Sequence, residues 1–173
     1  MIKDFADEYR RYRDYGEKAM AQVSDEALNQ TLGADDNSIA IIVRHISGNL
    51  ISRFTDFLTS DGEKEWRDRD SEFADAKYTR QELSEMWARA WTILESQLGA
   101  LEDADLRKTV TIRGHSLTVS EALCRSLAHT ASHVGQIVLL AKVLSGENWK
   151  SLTIPKGTSG KYNQNPALEK SPK

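Results

Sequence analysis

The sequence predicts an all-α protein, a four-helix bundle with a short β-hairpin before the last helix. Three observations carry that expectation. Four segments set apolar side chains at helical spacing with charged residues between them. Two of these segments open with capping-box spacing, Thr79 with Glu82 and Thr118 with Glu121. Proline occurs only at positions 155, 166 and 172, so the chain before them is free to form long helices.

The first segment carries Phe5, Tyr9, Tyr12, Met20 and Val23 on one face. Ser24 then caps a short turn in a connector over 25–36. The second segment follows Asp36 and Asn37, both good capping residues, and aligns Ile39, Ile42, Val43, Ile46, Leu50, Phe54 and Phe57. A polar stretch, "TSDGEKEWRDRDSEF" over 59–73, separates it from the third segment. A loop of that length inside a compact domain is often functional. The third segment aligns Leu83, Trp87, Ala90, Trp91, Leu94, Leu98 and Leu101. Alternation at Val110, Ile112, Leu117 and Val119 around Arg113-Gly114 predicts the hairpin. The fourth segment runs from the box at Thr118 to Gly146, about 39 Å at 1.5 Å per residue. Residues 1–155 form one helical domain in this reading, and 156–173 a polar tail, partly disordered.

Composition narrows the function classes. The 173 residues are 39% apolar and 28% charged with a formal net charge of −3, so no basic field gathers nucleic acid or an anionic membrane. The N-terminus is charged from its third residue and does not read as a signal peptide. His133, Gln136 and Lys142 interrupt the most apolar stretch, so no spanning helix is expected. The single cysteine, Cys124, suits a reducing cytoplasm and is expected to be buried packing.

The fourth segment shows two apolar-leaning faces. Leu123, Leu127, Ala131, Val134, Val138 and Ala141 form one, and Ala122, Ser126, His129, His133, Gln136 and Leu140 form a second, nearly opposite. Such a helix is expected to face a core on one side and a cleft or a partner subunit on the other. His129 and His133, four residues apart, stand on the second face and are able to converge on one ion. The residues between them include no glutamate, so the peptidase version of this element is absent. His45 is the natural third ligand, because it flanks the stripe of the second segment. Three imidazoles from two helices would leave coordination positions open and suit zinc, nickel or another first-row divalent ion. On spacing alone, polar residues tolerated in a core remain the competing reading.

A histidine in the second helix ("VRHISGN") joined to "HTASHVGQIVLLAK" resembles the DinB-like superfamily of small damage-inducible bacterial proteins. The loop "FLTSDGEKEWRDRDSEF" and the tail "WKSLTIPKG" are similar to a bacterial branch of it with no assigned chemistry. The resemblance covers about residues 1 to 160. It implies an up-down-down-up bundle, commonly a homodimer, holding a divalent metal on His45, His129 and His133. Relatives with assigned chemistry are bacillithiol S-transferases and a mycothiol-dependent maleylpyruvate isomerase, so the resemblance implies a low-molecular-weight thiol as second cofactor. Other members are called metal-dependent hydrolases by analogy.

Further candidates surround that set. Arg53 would bind a substrate acid near the metal or form a salt bridge to Asp56 or Glu121. Asn49 and Gln136 would orient the histidines or a bound water, or satisfy backbone and interface groups. In "EWRDRD", Trp66, Arg67 and Arg69 form a lid or a substrate clamp, or Trp66 pins the loop while the charges pair. His115 falls at the hairpin turn as a surface residue. The expected function is a cytoplasmic metal-dependent S-transferase acting on a small molecule, with hydrolysis or a non-catalytic, stress-associated dimer as alternatives.

Overall fold

A computed structural model describes residues 1–166; the end of the polar tail lies outside the described residues. The helices are α1 (Ile2–Met20), α2 (Asp25–Leu28), α3 (Ile39–Phe54), α4 (Arg80–Ala100), α5 (Val119–Ser145) and α6 (Ser159–Asn163). Strands β1 (Thr109–Ile112) and β2 (His115–Thr118) pair antiparallel between α4 and α5. The protein is therefore mostly helical, with a two-stranded sheet.

Capping chemistry sets where the long helices begin. Thr79 and Thr118 each accept from the backbone N–H three residues on, and Glu82 and Glu121 return the bond to the cap backbone. The second long helix is capped by Ser38, which accepts from Ile41 N–H, rather than by Asp36 or Asn37. It ends at Phe54, so Phe57 reaches the core from the turn beyond. The hairpin turns on Arg113 and Gly114 with φ of 54° and 74°, the two positive angles a type I′ turn requires.

Helix α3 packs on α4 and α5, and α1 packs on α5 and α4. Tyr9 of α1 sits at the centre, fully buried. It meets Trp91 and Phe54 edge to face at ring distances of 6.3 and 6.2 Å and donates its hydroxyl to the Leu123 carbonyl of α5. Trp87 and Trp91 are buried on α4 as their spacing implies.

The two faces read on the last helix are the flanks of one stripe. Thr130 and Ile137, both fully buried, lie between the two sets, and Leu127, Ala131 and Val138 are only half-buried. The sets are separated by roughly 130° at 100° per residue, too little to be opposite sides of a helix. The far side is exposed at Leu139 (61%) and Val143 (52%), and it carries Cys124, which is exposed rather than buried. By length and composition alone α5 is apolar enough to cross a membrane, its best 18-residue window averaging a hydropathy of 1.2. One such helix is weak evidence for a span, because a core helix passes the same test, and α5 buries the stripe centred on Thr130 and Ile137 against the other helices.

The segment between α3 and α4 is strapped down. Asp61 accepts from the Arg113 and Gly114 N–H groups of the hairpin turn at 2.8 Å each, and Gly62 N–H donates to Thr111 O at 2.8 Å. Ser52 of α3 donates to the Gly62 carbonyl and accepts from Lys64 N–H. Arg44 donates to the Ser71 and Ala74 carbonyls. Trp66 is exposed, so polar bonds rather than its ring hold the loop.

Burial opposes ionisation of Asp61, but its backbone donors Gly114, Glu63 and Arg113 outweigh that and hold it at about 2. A carboxyl depressed in the fold contributes stability that is complete above its unfolded value, about 4, and lost as pH falls toward the folded one. Asp61→Asn is expected to cost about 2 kcal/mol at neutral pH. It should also flatten the loss of stability between about pH 4 and pH 2. Thermal melts followed by circular dichroism across that range check both; an unchanged acid limb in the variant would count against the anchoring role.

Candidate metal centre

The packing of α3 against α5 brings His45 beside His129 and His133. His45 is buried within α3, and the other two stand one turn apart on the flank of the buried stripe of α5. One ligating atom from each of the three lies within 4.8 Å of the others. The Nε2 atoms of His45 and His129 are 3.1 Å apart. Two nitrogens on a tetrahedral ion with bonds of about 2.0 Å would be about 3.3 Å apart, so the pair is already near ligand spacing.

Two of the other ring nitrogens are held by oxygen acceptors, while His129 Nδ1 is buried without a partner among the described residues. His45 Nδ1 donates to Glu72 Oε2 at 2.9 Å, and His133 Nδ1 donates to Gln136 Oε1 at 2.9 Å. Each bond places the proton on Nδ1 and leaves the Nε2 lone pair free, as a metal ligand requires. Burial, reinforced by the charges of His133, His45, Arg67 and Arg53, pushes His129 down to about 4. Burial also lowers His133, against the bond to Gln136. Both are therefore neutral at physiological pH. Three imidazoles with convergent nitrogens are a donor set that could hold a divalent metal ion.

Glu72 comes from a 3-10 turn at Ser71–Phe73, at the end of the long loop. Arg67, its guanidinium 2% exposed, grips it from Nε to Oε1 at 2.8 Å and from Nη2 to Oε2 at 2.9 Å. Burial opposes the Glu72 charge, yet the bonds from His45 and Arg67 and the arginine charge prevail and hold its carboxyl low. Phe73 packs its ring on His45 at 4.7 Å. The carboxylate reaches His45 over Gly48, one turn along α3: a Cβ there would stand 2.9 Å from the Glu72 Cδ and closer still to Oε1. Spacing reasoning on the helices does not find Glu72. The signal lies in a glycine in mid-helix three residues after the histidine, where close approach is the usual reason for one.

The remaining expected residues divide. Gln136 touches His133 as described. Asn49, buried, lines the cleft beside His45 and His129 without a hydrogen bond among the described residues. Arg53 lines the same cleft and pairs with Glu63 at 3.0 Å, neither Asp56 nor Glu121 being its partner; Glu121 is spent on the α5 cap. His115 is exposed on the hairpin.

A family model described as "Protein of unknown function (DUF1572)" matches residues 1–158, a span that contains every residue of this centre. No curated protein matches the chain.

Two substitutions test the support of His45. Glu72→Gln keeps the shape but loses the charge, and is expected to weaken zinc binding about 10–100-fold in a chelator competition titration. Gly48→Ala would ordinarily stabilise a helix by about 1 kcal/mol. Here the clash with Glu72 should reverse the sign, lowering the melting temperature and weakening zinc binding together. A stabilised Gly48→Ala protein with full zinc affinity would show that Glu72 does not set His45.

Proposed function

The chain belongs to the family described as protein of unknown function DUF1572, and we propose that it is a divalent-metal-dependent enzyme acting on small molecules by transfer of a low-molecular-weight thiol. The observation that carries this is the three-histidine cluster on two packed helices, with the Nδ1 atoms of His45 and His133 tied to oxygen acceptors. The resemblance of "VRHISGN" and "HTASHVGQIVLLAK" to the DinB-like superfamily, with its up-down-down-up bundle, points the same way.

The protein's own residues divide the work. Glu72, itself held by Arg67, orients the His45 ring, and Gln136 does the same for His133. Burial keeps His129 uncharged, so its lone pair stays available at neutral pH. His45, His129 and His133 would hold a zinc or nickel ion, whose Lewis acidity would lower the pKa of a thiol or a water molecule.

Thiol transfer is favoured over hydrolysis by the state of the nearest carboxylate. Among the described residues Glu72 is the one acid hydrogen-bonded to any of the three histidines, through His45, and both its oxygens accept from His45 or Arg67. It is poorly placed to take a proton from water as a general base. A thiol needs less help, its pKa of about 8.5 lying close to neutrality. The enzyme acts as a cytoplasmic homodimer in this reading, supported by the exposed apolar Leu139 and Val143 on α5 and by the one reduced cysteine.

Elemental analysis of untagged protein purified without chelator tests the proposal, with His45→Ala, His129→Ala and His133→Ala beside it. About one ion per chain is expected in the wild type and well under a tenth of that in each variant. Conjugation of small thiols to an electrophile should fall with the metal. Wild-type protein that is metal-free and takes up neither zinc nor nickel would leave the histidines as packing residues and favour the non-catalytic dimer.

A further inference from the structure

The chain carries 23 basic against 26 acidic residues, yet its charge is not evenly spread. The cleft that opens on His45 and His129, with a volume of about 190 Å³, is lined by Arg53, Arg67, Arg69, Arg113 and Arg125 and by no aspartate or glutamate. These arginines come from α3, the long loop, the hairpin turn and α5, so only the tertiary fold assembles them.

Their charges are only partly answered. Glu63, just behind the lining, takes Arg53 at 3.0 Å, Arg113 at 3.2 Å and Arg67 at 3.6 Å. Glu72 takes Arg67 a second time. Two carboxylates thus serve three arginines, while Arg69 and Arg125 have no ion-pair partner among the described residues. Arg69 is held over the Phe73 ring at 5.0 Å, and that ring lies against His45, so this guanidinium is placed rather than dangling. The lining carries five guanidinium groups and no carboxylate, with Glu63, Glu72 and Asp61 beside it, so positive charge remains in excess in a protein that is negative overall.

We infer that this cleft binds a small dianion, a molecule bearing two carboxylates or a phosphate, with Arg69 and Arg125 as its principal contacts. Guanidinium groups match the planar oxygens of both groups and hold them bidentately. The cleft is smaller than the roughly 300–1,000 Å³ of sites for drug-sized ligands, which suits a compact anionic group. The dianion places the rest of the molecule against His45 and His129, which line the same cleft. That it is the substrate rests on the metal-enzyme reading; that the site takes dianions does not.

Calorimetric titration of the full-length, chelator-treated protein at low salt tests the inference, with succinate, inorganic phosphate and neutral succinamide as probes. Succinate and phosphate are expected to bind and succinamide not. The Arg69→Gln/Arg125→Gln protein, whose substitutions are at exposed positions and should leave the melting curve unchanged, is expected to lose at least tenfold in affinity. Equal binding by the double variant, or no dianion binding by the wild type, would overturn the inference. Zinc titrated into the same chelator-treated samples separates the two ideas: wild-type protein that takes up no zinc yet binds succinate through these arginines upholds this one alone. Metal-loaded protein indifferent to succinate and phosphate defeats it alone.

Discussion

The buried carboxylate of Glu72 is the constraint on which the rest of the centre depends. It lies in the interior with its oxygens filled by three N–H groups, one from His45 and two from Arg67. A buried charge is tolerated only when it is so paired, and removing one partner from such a pair costs about 3–5 kcal/mol. Seen from Glu72, several separate features have one purpose. Gly48 clears the approach, Phe73 closes over His45 beside it, and Arg67 supplies both the counter-charge and the second hydrogen-bonding edge.

The loop that delivers Glu72 has to hold a fixed shape without secondary structure to impose it. It does so through backbone hydrogen bonds at both ends. Asp61 and Gly62 tie it to the hairpin, Ser52 to α3, and Arg44 holds the Ser71 and Ala74 carbonyls. The hairpin, which gives Val110 and Ile112 to the core, thereby also acquires a role in positioning. The long loop is thus a scaffold for the site, and its arginines reach the cleft because its backbone is held.

Two electrostatic demands meet at one place. His129 and His133 stay neutral through burial and the neighbouring positive charges, which favours lone pairs on nitrogen. The same positive charges, carried by the arginines of the cleft, favour an anion beside them. Glu63 and Glu72 moderate this field without cancelling it. The neutral lone pairs are available to a cation, and an anionic molecule beside it would offset the positive field of the arginines.

Much of this was legible in the chain. Helical periodicity and the boxes at Thr79 and Thr118 locate α4 and α5, and the Arg113-Gly114 turn locates the hairpin, because these features depend on neighbours a few residues away. The pairing of His129 with His133 is likewise a property of helical pitch. Their meeting with His45 was an assumption about packing. The partners of the site were hidden: Glu72 lies 27 residues from His45, and Glu63 rather than Asp56 or Glu121 answers Arg53. Nor did residue type settle burial, since Cys124 and Trp66 are exposed and one stripe on α5, centred on Thr130 and Ile137, replaces the two faces. The sequence by itself therefore determined the helices, their caps and the histidine pair, all set by local spacing and backbone hydrogen bonding. The tertiary structure alone decided the carboxylate on His45 and the arginine-lined cleft, because desolvation and charge pairing depend on which distant segments are brought into contact.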